Sequence, residues 1–185
     1  MRHVGTPILD TERLRLRRLR VDDAQAMFAH WGQDPEVTRY LSWSPYEEVA
    51  ACEAYLREQV ACYKAKDFYL WGVELKATGE LIGTMGLVDL VGSEATVGYC
   101  IGRPWWRQGL TSEAFMAMLD FLFDTVGFEH IKAYYQPENI ASGKVLAKAG
   151  MEIEGEAWRT TAAGSRRCLK RGLSKKAWQL QHPKH

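Results

Sequence analysis

The sequence predicts a mixed α/β fold, with strands dominating the middle of the chain and helices interleaved between them. Three observations carry that expectation. Residues 69–101 hold short apolar runs separated by turn-forming residues, the pattern of strands joined by tight turns. Other stretches repeat apolar residues at three- and four-residue intervals, the spacing of a helix with one buried face. The chain of 185 residues is 46% hydrophobic and 25% charged. That is ordinary globular composition, at odds with disorder or collagen-like repetition. At roughly 100–200 residues per domain, residues 1–185 are expected to form one domain.

The elements follow in order. Leu14 and Leu16 alternate with Arg13, Arg15 and Arg17, so the first strand is expected to carry a solvated basic face. Asp22 and Asp23 open a helix over Ala24 to Trp31, acidic residues where the helix dipole favours them. Ser44, Pro45 and Glu47 read as a capping box, followed by Val49, Cys52, Tyr55, Leu56 and Val60 at helical spacing. Three antiparallel strands are expected at YLWGVELK, ELIGTMGLVDL and ATVGYCI, with K-A-T-G-E and V-G-S-E as their turns. A helix beginning near Thr111 presents Ala114, Phe115, Met118, Leu119 and Leu122 on one face. HIKAYY is a strand. A helix runs from about Asn139 to Ala149 and ends at Gly150, and strands follow at roughly 152–160 and 166–178.

The 24 Lys and Arg residues and 23 Asp and Glu residues leave a net charge of +1, which excludes a dominant polyelectrolyte field. The balance is regional: +4 over residues 1–20, −8 over 21–99, −2 over 100–155 and +7 over 156–185. The cysteines at 52, 62, 100 and 168 form no C-x-x-C pair and no Cys/His spacing of a metal site, so no metal is expected. The N-terminal segment lacks the apolar stretch of a secretory signal, and no run of 18 apolar residues occurs. A cytoplasmic protein without membrane contact is the default expectation.

The most informative segment is ATVGYCIGRPWWRQGLTSEAFMAMLDFLF, which joins an apolar strand through a glycine-bearing turn to an amphipathic helix. Such a junction suits an anion. Free amides at a helix N-terminus and its positive dipole end can cradle phosphate oxygens, and glycine permits close approach. Arg107, Gln108, Gly109, Leu110, Thr111 and Ser112 would supply those amides, with hydroxyls from Thr111 and Ser112. A plain strand-to-helix turn is the alternative. No G-x-x-x-x-G-K-[ST] and no G-x-G-x-x-G is present, so nucleotide-hydrolase and dinucleotide signatures are missing.

Gly98, Tyr99, Ile101, Pro104, Trp105, Trp106, Gly109, Thr111, Ser112, Glu113 and Ala114 form one motif. Asn139, Ser142, Lys144, Val145, Leu146, Lys148, Gly150 and Met151 form a second. On these the chain resembles the GCN5-related N-acetyltransferase superfamily, in particular its ribosomal-protein alanine N-terminal acetyltransferase branch. The resemblance implies about seven mostly antiparallel strands flanked by about four helices, with the fourth and fifth strands splayed around acetyl-coenzyme A. Pantetheine would pair with the backbone around Cys100, Ile101 and Gly102, and the pyrophosphate would sit on the amides of Arg107 to Ser112. Asn139 would bond the pantetheine and Lys144 would reach an outer phosphate, although Asn139 also reads as an N-cap and Lys144 as a solvated lysine.

Acetyl transfer to an amine needs an oxyanion donor, a route for the amine proton and a proton for the departing thiolate. A backbone N–H near Cys100 or Ile101 suits the oxyanion. The tyrosine that many superfamily members place seven residues after the asparagine is Leu146 here. Ser142 matches the serine assigned that role in the ribosomal-protein branch. The position where the family often has a basic carboxylate is Thr96, leaving a water relay, Glu94 or another acid as the base. The resemblance implies direct transfer to a primary amine, foremost a peptide or ribosomal-protein N-terminus. A small cationic amine, or a non-catalytic acyl-coenzyme A sensor, are the alternatives. Glu47, Glu48 and Glu53 would attract a cationic acceptor or solvate a helix face. Trp31, Tyr40, Trp43 and Tyr46 would anchor the core or loop, or some of them, Trp43 and Tyr46 foremost, would line its pocket. Arg159, Arg166, Arg167, Lys170, Arg171, Lys175 and Lys176 would contact RNA or a ribosome, or form an exposed strand face. A monomer or a homodimer is expected.

Overall fold

A computed structural model describes residues 1–183. Its strands are β1 (Leu9–Asp10), β2 (Leu14–Arg17), β3 (Leu70–Leu75), β4 (Glu80–Val91), β5 (Glu94–Ile101), β6 (His130–Tyr135), β7 (Glu152–Thr161) and β8 (Gly164–Ser174). Its α-helices are α1 (Ala24–Met27), α2 (Pro35–Thr38), α3 (Val49–Cys62), α4 (Leu110–Asp120), α5 (Ile140–Lys148) and α6 (Lys175–Gln181). The strands form one sheet of eight, in the order β1-β2-β3-β4-β5-β6-β8-β7. Every pairing is antiparallel except β5 with β6. The expected count of about seven rises by the short β1, which pairs Leu9 with Leu16.

Apolar periodicity places the layers. Leu14 and Leu16 of β2 are fully buried, and α4 contributes Leu110, Ala114, Phe115, Met118 and Leu119 to the larger core. A smaller core on α1 and α3 gathers Leu19, Met27, Trp31, Cys52 and Leu56. The helix opened by Asp22 and Asp23 is not continuous: a 3₁₀ turn leads into α1, which widens into a π-turn over Phe28–Gly32. The helix begun at α4 widens in the same way over Phe121–Val126.

Several local expectations are corrected. Arg17 is not solvated: its guanidinium grips Asp23 with two bonds of 2.9 Å and Glu74 at 2.6 Å. The Ser44 capping box does not form. Tyr46 N–H donates to Gly32 C=O at 2.8 Å, its ring packs on the smaller core, and the helix starts only after Glu48. The last strand stops at Ser174, whose hydroxyl accepts the Ala177 N–H and caps α6, so residues 175–178 are helical.

Candidate active site

Strands β5 and β6 pair only through Glu94–Thr96, against His130–Lys132. Beyond Thr96 they part, as the splay requires. Gly102 N–H donates to Ile82 C=O at 2.8 Å, which makes 82 and 102 a hydrogen-bonded pair of the antiparallel ladder. By alternation Thr84 and Cys100 are also such a pair, and the main-chain groups of Tyr99 and Ile101 face the gap toward β6. The expected backbone pairing at Cys100 and Gly102 is therefore displaced to their neighbours. Of these, the Ile101 C=O already accepts the Trp106 indole N–H at 2.7 Å.

A cavity of about 500 Å³ opens along this gap. It is lined by Cys100, Ile101, Arg107, Gly109, Leu110, Thr111, Ser112, Asn139, Ser142 and Lys144, all expected site residues. Gly102 and Gln108 are not on its wall. Gly102 is buried where a Cβ would stand 2.5 Å from the His30 C=O. Gln108 instead braces its own loop, accepting from Arg13 at 2.9 Å and donating to Pro104 C=O at 3.0 Å.

The helix start suits phosphate. Arg107 and Gly109 stand at φ 59° and 75°, a left-handed turn that glycine enters freely and arginine only under strain. The first bond to continue into α4 is Glu113 N–H to Gly109 C=O at 3.1 Å, so the amides ahead of it lack intrahelical acceptors. A carboxylate in this first turn would oppose an anion, but Glu113 is engaged. Its oxygens accept from Thr11 at 2.6 Å, Arg13 N–H at 2.8 Å and Arg13 Nε at 2.7 Å. Burial would raise this carboxyl, yet those bonds hold it below the usual range. The donor set thus fits a pyrophosphate.

On the other side of the gap, Asn139 caps α5, its Oδ1 accepting the Ser142 N–H at 3.2 Å. Ser142 Oγ lies 2.8 Å from the Tyr99 hydroxyl. Burial pushes the Tyr99 hydroxyl up to about 12, the Ser142 bond countering only part of it. Burial likewise pushes the Cys100 thiol up to about 12, which keeps it protonated and unsuited to a covalent relay. Glu94 stands at the far end of β5, about 20 Å away along the strand. Its carboxylate is held below the usual range by Lys132, and it does not line the cavity.

Tyr99, Trp105 and Trp106 also line the cavity, and a further wall comes from Glu36, Val37, Arg39, Tyr40 and Leu41, with Glu138. Of this wall the sequence pointed to Tyr40 alone, as one of the aromatics able to line a pocket. Trp43 and Tyr46 stack 5.3 Å apart against the smaller core instead, and Glu47, Glu48 and Glu53 lie off the cavity. Leu41 C=O accepts the Ala162 N–H at 3.3 Å, fastening the wall to the β7–β8 turn. Asp34 fastens it to the phosphate loop, capping α2 while accepting from Arg103 at 2.9 Å. The basic C-terminal stretch is largely partnered: Arg167 with Glu156, Lys170 with Glu154, Arg171 with Met151 C=O, and Arg159 over the Tyr134 ring.

A mostly antiparallel sheet whose one parallel pair parts beside an anion-ready helix start defines an acyl-coenzyme A acyltransferase. Residues 13–152 match the family model described as an acetyltransferase (GNAT) domain, and the chain belongs to that family. It is 36% identical over 151 residues to "Uncharacterized N-acetyltransferase YoaA" of Bacillus subtilis, covering 80% of this chain and 85% of the relative. It is 27% identical over 157 residues to the [Ribosomal protein uS5]-alanine N-acetyltransferase of Escherichia coli, covering 80% of each. The fold matches Mycobacterium smegmatis RimJ, solved with CoA-disulfide, at a TM-score of 0.81 and 21% identity over 92% of this chain and 84% of that one. The protein is thus an acetyl-CoA-dependent N-acetyltransferase. Among the described residues, no His, Cys, Asp and Glu side chains group to hold a metal. No helix there is long and apolar enough to cross a membrane.

Proposed function

We propose that the protein transfers the acetyl group directly to a primary amine, with a peptide or ribosomal-protein N-terminal amine as the leading acceptor. The observation that carries this reading is one cavity joining the helix-start amides to the Ser142 hydroxyl across the parted strands. The amides of Arg107 to Ser112 hold the pyrophosphate, with Lys144 at its outer end. The N–H of Tyr99 or Ile101, facing the gap, supports the carbonyl oxygen as it gains charge. Ser142 supplies a proton to the leaving sulfur. Glu138 on the cavity wall favours a cationic acceptor, while Glu36 beside it pairs with Arg39.

No side-chain base is required for an α-amine. With a pKa near 8 it is about 10% neutral at pH 7, against about 0.04% for a lysine side chain, so water can carry its proton away. The uS5-alanine relative supports an α-amine acceptor. Small cationic amines are the second reading, favoured by the same Glu138 carboxylate.

The test is thiol release with acetyl-CoA and an amine panel, products read by mass spectrometry. The panel holds peptides with free N-terminal Ala or Ser, a blocked peptide bearing lysine, spermidine and an aminoglycoside. We expect acetylation of the free N-termini, with kcat/KM rising through a midpoint near pH 8 to a plateau above about pH 9. Acetylation of spermidine or the aminoglycoside alone would establish the second reading. Ser142→Ala should lower kcat by about 10²-fold with little change in acetyl-CoA affinity, and an unchanged kcat removes Ser142 from the chemistry.

A further inference from the structure

Beyond its main-chain N–H, Tyr99 brings a phenol that is the nearest side-chain partner of the group placed at the leaving sulfur. Its oxygen lies 2.8 Å from Ser142 Oγ and 3.5 Å from the Ser142 C=O. The ring is backed edge-on by Phe115, centroids 5.4 Å apart, so the hydroxyl is held in place by the core beneath it. Ser142 is also fixed through its main chain, by the Asn139 cap.

Of two hydroxyls at this distance, one donates to the other. A phenol is the stronger acid and the better donor, and the carbonyl, its alternative acceptor, is at the limit of bonding distance. Either hydroxyl could donate at 2.8 Å; with the more acidic phenol as donor, the Tyr99 proton goes to Ser142 Oγ. The serine proton then has to point elsewhere, and Ser142 and Tyr99 both line the cavity.

We propose that Tyr99 is a positioning residue that turns the Ser142 proton toward the leaving sulfur and steadies the serine oxygen while that proton is in transfer. The proposal rests on the reading of Ser142 as the proton donor. The acceptor nitrogen bonds to the carbonyl carbon, the C–S bond breaks, and the electron pair left on sulfur takes the Ser142 proton. The serine oxygen regains a proton through water from the acceptor nitrogen, which sheds one as the amide forms. Tyr99 donates a hydrogen bond throughout and keeps its own proton, consistent with a hydroxyl that burial pushes up to about 12.

The experiment is a double-mutant cycle of Tyr99→Phe and Ser142→Ala. It uses acetyl-CoA and the best acceptor of the amine panel, with acetyl-CoA affinity measured separately by calorimetry and folding by thermal melting. Tyr99→Phe should reduce kcat about tenfold, the size of one lost hydrogen bond to a charging atom, with acetyl-CoA affinity within about twofold of the parent. In the Ser142→Ala background the same change should have no further effect, because its object is gone. Full kcat in Tyr99→Phe beside a slow Ser142→Ala overturns the positioning role and leaves the Ser142 reading intact. Full kcat in Ser142→Ala overturns both. A tenfold loss in both backgrounds, or lost acetyl-CoA affinity, makes Tyr99 a structural wall residue and also overturns the proposal.

Discussion

Cys100 stands beside the expected thioester position, and its reactivity is decided by burial rather than by proximity. With its thiol pushed up to about 12, the thiolate is negligible at neutral pH, and Cys100 partly packs against the smaller core. Cys100→Ala should therefore keep kcat within about threefold, since Cys to Ala in a half-buried site loses only about one heavy atom of packing. A covalently acetylated enzyme in intact-mass spectra, absent in that variant, would contradict direct transfer. Arg107 shows the opposite case, a residue whose chemistry is plain in the sequence but whose backbone is not. No local rule puts a non-glycine residue at φ 59°. The strained turn lies on the cavity wall, with Arg107, Gly109 and Leu110 among its lining residues.

At the level of elements, the phosphate loop is held from outside itself. Arg13, at the start of β2, bonds the Glu113 carboxylate of α4 and the Gln108 C=O. Arg13→Met should remove about 1 kcal/mol of loop positioning, read as a roughly fivefold rise in KM for acetyl-CoA with a smaller change in kcat. Equal kinetics in the variant would show that the loop stands by itself. This clamp joins residues 100 apart and was illegible in the sequence, where Arg13 reads as one tooth of a solvated strand. By contrast α5 was legible almost to the residue, because Asn139 and Gly150 are local punctuation whose chemistry works wherever the chain goes. The glycine turn ahead of α4 was legible for the same reason. The capping box at Ser44 failed because a tertiary contact, Tyr46 on Gly32, overrode it. The cavity wall at Glu36–Leu41 and the Tyr99–Ser142 pair depend on where distant segments meet, which no spacing along the chain encodes.

Over the whole molecule, the layers on both faces of the sheet contain hydroxyls and thiols rather than hydrocarbon alone, Tyr46, Tyr63 and Cys100 on the α3 side and Tyr99 on the α4 side, and this makes stability depend on pH at the alkaline end. Burial pushes Tyr46, Tyr63 and Tyr99 up to about 12 from an ordinary value of 10, and Cys100 up to about 12 from 9. Each is an acid whose neutral form the folded protein prefers, so its unfolded counterpart loses its proton first. The stability these groups contribute is complete below about pH 9 and is lost as the pH rises toward 12. The melting temperature should thus be insensitive to these groups from pH 7 to 8.5 and fall steeply above pH 9.5. Tyrosinate absorbance should show a fraction of the tyrosines ionising only with unfolding. Tyr99 links this stability to the site: in Tyr99→Phe the alkaline fall should be shallower, because one of the coupled ionisations is gone. If all tyrosines titrate near 10 in the folded protein, with the melting temperature unmoved, the buried hydroxyl layer does not exclude water. The hydrogen bond from Tyr99 to Ser142 would then compete with solvent.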